Sequence, residues 1–214
     1  RRCFLPTVIR KARAVSVASM SYAQTSWIGP LKKQQLVELP FGVDLQRFRT
    51  DHHEEGSVRR LLFLGGLDRN HYFKGLTYAL NALAQLSERS DWVLYIVGDG
   101  DLRAGYEQDV QRLELQDRVT FLGRVSDQDV PAIYRRSDVF LFPSTDRSED
   151  GKTGWLVPPK QTHALRDAIE DVLNKSSLAT ERNAARRRAE RCYDWDRHMT
   201  TLEAQYESLC ASSL

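Results

Sequence analysis

A chain of 214 residues with 41% hydrophobic and 28% charged side chains has the composition of a globular protein, away from the corner where chains stay disordered. That length suits one α/β domain of ordinary size with extra segments, or two very small domains. The net charge of +2 is unevenly spread, because seven of the 31 Lys and Arg and none of the 29 Asp and Glu fall within residues 1–37, which leaves peripheral contact with anionic lipid open for that end.

Apolar runs such as 61–64 and 92–97 are far shorter than the ~20 residues that cross a bilayer, and no signal-peptide core precedes a small-residue cleavage site. Cys3, Cys192 and Cys210 lie far apart without CxxC spacing, which indicates neither a disulfide framework nor a zinc site. A cytoplasmic home is expected. An acid-free, Arg-containing N-terminus can also be a transit peptide. This one lacks an initiator Met and runs into strand and helix patterning, so a fragment of a longer chain is the expectation instead.

In chain order, residues 14–19 (Ala-Val-Ser-Val-Ala-Ser) read as a strand ending in a serine, and 49–57 is polar enough to be a loop. Residues 60–65 (Arg-Leu-Leu-Phe-Leu-Gly) read as a buried strand, with Leu76, Leu80, Leu83 and Leu86 at helical spacing behind it. The run 92–97 (Trp-Val-Leu-Tyr-Ile-Val) is a second strand, followed by a helix with Tyr106, Val110 and Leu113 on one face. Residues 119–122 form a third strand. Ser126 and Asp129 then suggest a capping box ahead of Val130, Ile133 and Tyr134, and 138–142 is a fourth strand. Beyond 155 the pattern turns helical: Leu165, Ile169, Val172 and Leu173 mark one helix and 180–191 a second. Trp195, Met199, Leu202, Tyr206 and Leu209 mark a third, whose apolar face needs a partner. Strands alternating with helices predict an α/β fold, a doubly wound parallel sheet of Rossmann-like type. Such sheets bind ligands outside the carboxyl ends of their strands, where helix N-termini carry free N–H groups.

The loops after those strands therefore hold the candidate chemistry. The first is 65–75, Gly-Gly-Leu-Asp-Arg-Asn-His-Tyr-Phe-Lys-Gly, whose glycines admit close backbone approach and whose Lys74 is expected to open the next helix. Before it comes Leu-Pro-Phe-Gly-Val-Asp at 39–44. After it come Gly-Asp-Gly-Asp-Leu-Arg at 98–103, Gly123 with Arg124, Phe-Pro-Ser at 142–144 with Glu149, and Gly-Lys-Thr-Gly-Trp-Leu-Val-Pro at 151–158. Taken in that order, over residues ~39 to ~210, these motifs resemble the C-terminal, donor-binding domain of family 4 glycosyltransferases, one half of the two-domain GT-B architecture.

The resemblance implies catalytic roles for Lys74, which would neutralise the donor diphosphate, and for Glu149, which would face the donor sugar. It implies donor binding by Gly65, Gly66, Arg69, Gly98, Gly100, Gly123, Arg124 and Ser144. The family usually carries an Arg where this chain has Gly66. Arg69 is chemically able to substitute, since a guanidinium pairs bidentately with phosphate. The second Glu expected eight residues after Glu149 is absent, and Asp150 and Gly151 already belong to the next motif. A segment is therefore expected to be missing between 149 and 150, because a parallel strand needs a crossover.

On this basis residues 1–37 would be the remnant of an N-terminal acceptor domain of the same parent chain, 38–196 a nucleotide-sugar-binding domain, and 197–214 a crossover helix. The implied function is a retaining glycosyltransferase taking a UDP- or GDP-linked sugar to an acceptor glycan, lipid or small molecule. Alternatives are a non-catalytic nucleotide-sugar-binding module or a sugar-nucleotide epimerase of the same fold. No cofactor, metal or nucleic-acid partner is implied. His52 and His53 lack a carboxylate or Cys at ligand spacing. Arg182, 186–188 and Arg191 are interleaved with Glu181 and Glu190 as on a solvated helix. Gly98 and Gly100 lack the third glycine of a dinucleotide fingerprint.

Overall fold

The computed structural model describes residues 5–20, 23, 36–50, 55–144 and 153–211. Two compact units make up the chain, Arg1–Phe48 with Arg186–Leu214 and, separately, Arg49–Ala185.

The larger unit is a parallel α/β sheet. Its first strand, β3 (Arg59–Leu64), follows two short strands of the other unit, β1 (Val15–Val17) and β2 (Leu36–Glu38). After it come helix α2 (Leu76–Ala84), β4 (Trp92–Val97), α3 (Arg103–Arg112), β5 (Val119–Gly123), α4 (Val130–Arg136), β6 (Val139–Phe140) and α5 (Thr162–Leu173). The order across the sheet is β5-β4-β3-β6, with every pair parallel. β3 and β4 are continuous apolar runs because helices cover both faces of the sheet. Leu61, Leu62, Trp92, Leu94 and Ile96 are wholly buried, and all of these but Leu62 share one core cluster with Leu76, Leu80 and Leu83 of α2. Each such leucine contributes about 1.5–3 kcal/mol by leaving water.

The predicted strands therefore form the expected doubly wound sheet, with two local differences. β6 pairs over only two residues, Leu61 with Val139 and Leu62 with Phe140, where the apolar run predicts five, because Pro143 has no N–H to continue a ladder. Asp138 sits just before β6 rather than in it. Its fully buried carboxylate accepts the Arg60 amide at 2.6 Å and the Arg60 guanidinium at 3.1 and 3.3 Å, fastening β6 to β3. The capping box is also not made as predicted. Ser126 Oγ donates to the Asp129 carboxylate at 2.6 Å, and α4 begins after Asp129 with Pro131 in its first turn, without a side-chain cap.

In the smaller unit β1 and β2 pair in parallel, and α1 (Leu5–Lys11) precedes them. Helix α6 (Ala179–Cys192) begins among the residues of the larger unit and leads into α7 (Trp195–Ala211) of the smaller one. The segment after β2 lies on the start of α7: the Val43 amide donates to the Tyr193 carbonyl at 2.6 Å, and His198 Nδ1 donates to the Pro40 carbonyl at 2.7 Å. Gly42 is required there, since a Cβ would stand 2.7 Å from the Trp195 ring. The predicted apolar face of α7 is only partly covered, with Trp195 half exposed and Tyr206 more than half exposed. No helix among the described residues is long and apolar enough to cross a membrane.

Candidate functional site

The carboxyl ends of β3, β4, β5 and β6 are stitched into one rim by the loops that follow them. The Gly65 amide donates to the Val97 carbonyl at 2.9 Å, and the Gly98 amide to the Gly123 carbonyl at 2.8 Å. The Leu67 amide donates to the Asp99 carbonyl at 3.0 Å, and the Leu102 amide to the Leu67 carbonyl at 2.8 Å. Two glycines let the loops approach this closely. Gly98 adopts φ +136° with its α-carbon against the Gly65 carbonyl, and Gly75 adopts φ +77° against the Pro143 carbonyl. In both places a side chain would overlap backbone atoms. Chain order reverses between β3 and β6, since β4 and β5 are laid down on one side of β3 and β6 on the other. That reversal is where an open parallel sheet leaves a crevice for ligand.

Lys74 lies at this reversal, though not where the sequence pattern puts it. A 3₁₀ turn, Tyr72–Lys74, intervenes, Gly75 in the left-handed conformation caps α2, and the helix begins at Leu76. The lysine closes the turn rather than opening the helix. Its aliphatic stem lies along the Gly65 backbone, so that a Cβ on Gly65 would stand 2.5 Å from Lys74 Cδ and 2.9 Å from Nζ. The space that the glycine leaves is thus filled by the lysine itself. No carboxylate among the described residues pairs with this ammonium, whereas its cationic neighbours are engaged. Arg103 pairs with Glu107 at 2.8 Å and Asp99 at 3.7 Å and lies over the Phe121 ring. Its hydrogen bond with Glu107 raises the affinity of the guanidinium for its proton. Arg69 is 84% exposed and pairs with Asp101 at 3.4 Å.

Of the residues predicted to bind donor, Gly65, Gly66, Gly98, Gly100 and Gly123 lie together on this rim with Lys74. Arg69 and Arg124 are exposed beside it. Ser144 follows Pro143 and lines a pocket of about 350 Å³ walled by Tyr78, Phe142, Trp155, Pro158 and Lys160. Lys74 is not among the residues lining this pocket. The pocket and the lysine turn meet where Gly75 contacts Pro143 and where the Tyr78 amide donates to the Gly75 carbonyl at 2.9 Å, and we take the charged turn, not the pocket, as the focus of the chemistry. Glu149, the proposed break after it, His52 and His53 lie outside the described residues. The sequence pattern did not single out Asp68 and His71. A Cβ on Gly66 would stand 2.6 Å from His71 Nδ1 and 2.7 Å from Asp68 Oδ2, so this pair covers Gly66 as Lys74 covers Gly65. The hydrogen bond from His71 holds the Asp68 carboxyl below the usual carboxylate range, against burial and with help from the Asn70 amide.

The family of glycosyl transferases group 1 matches residues 58–149, the segment that builds this rim. The chain carries a glycosyltransferase group 1 domain. It is 29% identical to the D-rhamnosyltransferase WbpZ of Pseudomonas aeruginosa over 211 residues, covering 81% of this chain and 54% of that protein. It is 33% identical to a GDP-mannose-dependent phosphatidylinositol monomannoside mannosyltransferase of Mycobacterium tuberculosis, covering 70% of this chain and 49% of that one. The chain thus spans about half the length of these curated relatives. Among solved structures it superposes on the sucrose-phosphate synthase of Thermosynechococcus elongatus with a TM-score of 0.77 at 23% identity, covering 96% of this chain and 60% of that one. It superposes on Anabaena Alr3699/HepE in complex with UDP with a TM-score of 0.81 at 19% identity, covering 97% and 67%. At these identities the likeness establishes the fold, that of the GT-B glycosyltransferases.

Proposed function

We propose that this chain supplies the donor-binding side of a retaining glycosyltransferase of family 4, which transfers a sugar from a UDP- or GDP-linked donor to an acceptor glycan, lipid or small molecule. Residues 1–37 would then be the tail of the acceptor domain and 197–214 the helix that returns to it. The observation that carries the reading is Lys74 Nζ poised over Gly65 where the sheet reverses, without a carboxylate partner among the described residues. In the reaction the bond between the anomeric carbon and the diphosphate oxygen breaks and the diphosphate departs with the electron pair. The acceptor oxygen bonds to the anomeric carbon and gives up its proton. Negative charge grows on the diphosphate, and a fixed cation aimed there lowers the barrier more than one that meets only the ground state. Lys74 fills that role, Glu149 is assigned to the donor sugar, and we assign no metal or cofactor. The setting is cytoplasmic.

Calorimetric titration with UDP, GDP and ADP tests the proposal. One of them binds the wild-type protein, and Lys74→Ala weakens that binding by about ten- to a hundredfold, the range of a charge-assisted hydrogen bond. Absence of binding by all three, or equal binding by the variant, overturns it. Conversion of a UDP-sugar to an isomer without acceptor would favour an epimerase.

A further inference from the structure

Asp68 and His71 form a second built feature of the lysine turn. His71 Nδ1 stands 2.8 Å from Asp68 Oδ2 and 3.0 Å from Oδ1, while Asp68 Oδ1 also accepts the Asn70 amide at 2.8 Å. With the carboxylate ionised, Nδ1 carries the proton and donates. Nε2 is left without a hydrogen-bond partner among the described residues, on a side chain that is 43% exposed. The ring rests on Gly66 while Lys74 rests on Gly65, so two cation-capable side chains cover consecutive residues of one turn. The other charges facing this turn come from the loop after β4: Asp99 and Asp101, balanced by Arg103 and Arg69. Those two guanidiniums are engaged, whereas Lys74, the free edge of His71 and the exposed Arg124 beside the rim are open to an anion.

We propose that His71 is a second ligand for the donor diphosphate, its ring taking up a proton at Nε2 as the phosphate binds and donating it to a phosphate oxygen beside Lys74, and that Asp68 is the positioning residue that orients the ring through Nδ1. This rests on the reading of the crevice as a nucleoside-diphosphate site. A bonded pair at i and i+3 on a turn holds the ring without a flexible stem, so the hydrogen bond forms with little loss of side-chain freedom.

The experiment measures the affinity of the 214-residue protein for UDP, GDP and ADP, and for the nucleoside of whichever base binds, by calorimetry and ligand-observed NMR. His71→Ala weakens the diphosphate about tenfold, as loss of a charge-assisted hydrogen bond does, and leaves the nucleoside unchanged, which also reports that the variant is folded. His71→Gln, which keeps a donor, recovers part of the loss. Asp68→Ala, which removes the acceptor that holds the ring through Nδ1–H, weakens the diphosphate and not the nucleoside. Equal loss for diphosphate and nucleoside, or no loss for the diphosphate, overturns the assignment of His71 while the site stands. A wild-type protein that binds none of the three diphosphates overturns the site itself and the assignment with it, before any variant is made.

Discussion

A methyl group at residue 98 would overlap the carbonyl of Gly65, and the backbone there sits at φ +136°, where a side chain is strained even in open space. The loops after β3 and β4 cannot move apart to admit it, because the Gly65 and Leu67 amides are bonded to Val97 and Asp99. Gly98→Ala is therefore expected to destabilise by about 1–3 kcal/mol, the usual cost of overpacking. Gly105 provides the opposite case. It lies exposed in α3 with nothing within 4 Å of where a Cβ would stand, so Gly105→Ala is expected to stabilise by about 0.5–1 kcal/mol through lower unfolded-state entropy. Urea unfolding midpoints of the two variants, moving in opposite directions with unchanged slope, check both. An equal or higher midpoint for Gly98→Ala would mean that the rim is looser than its hydrogen bonds indicate. Sequence alone could mark these glycines as turn formers. It could not tell that Gly65 and Gly66 lie beneath Lys74 and His71, since that depends on how an eleven-residue loop folds back over itself. Nor could it show that Arg69 is paired with Asp101, thirty-two positions away.

At the level of elements, β3 and β4 were legible because strands buried on both faces are unbroken apolar runs. The helix at 162–173 was legible because its apolar positions recur at helical spacing. What escaped was whatever depends on distant partners. β2 is three residues long and is a strand only through pairing with β1, and the turn Tyr72–Lys74 has no periodicity to read. A further hidden element is the clasp around Glu55, which no motif marks. Its carboxylate accepts the Leu178 amide at 3.0 and 3.2 Å, the Arg182 guanidinium at 3.0 Å and that of Arg59 at 3.2 Å, joining the start of β3 to the start of α6. Burial pushes the Glu55 carboxyl up, but the Leu178 amide, Arg59 and Arg182 outweigh it and hold the group below the usual carboxylate range. A carboxyl whose folded pKa is depressed contributes stability that is present above its unfolded pKa and lost as pH falls through the folded value. Wild-type stability is accordingly expected to fall on acidification below the ordinary glutamate range. Glu55→Gln should be less stable at pH 7 by about 1–3 kcal/mol and should show a flatter acid limb. Thermal midpoints of both proteins between pH 3 and 7 decide this, and parallel limbs would show that Glu55 contributes nothing to the acid dependence.

For the whole molecule, the proposed reaction places demands on two surfaces, one for the sugar nucleotide and one for the acceptor hydroxyl. The rim at the ends of β3 to β6 provides the first, with its lysine, its oriented histidine and its glycine contacts all within Arg49–Ala185. A reacting oxygen must be brought to within about 3–3.5 Å of the anomeric carbon and kept there, and losing that placement removes several orders of magnitude in rate. If the second surface belongs to another Rossmann-like domain, as the proposal has it, donor binding and transfer are separable. The purified 214-residue chain is then expected to bind the nucleoside diphosphate, with the affinity pattern of the Lys74 and His71 variants, and to release no transferred product when given sugar nucleotide and candidate acceptors. The same chain joined to the acceptor domain that the proposal calls for is expected to transfer. Product from the purified 214 residues alone, detected by mass spectrometry and abolished by Lys74→Ala, would show that both surfaces lie within this sequence. It would move the search for the acceptor site to the pocket beside Ser144 and Trp155.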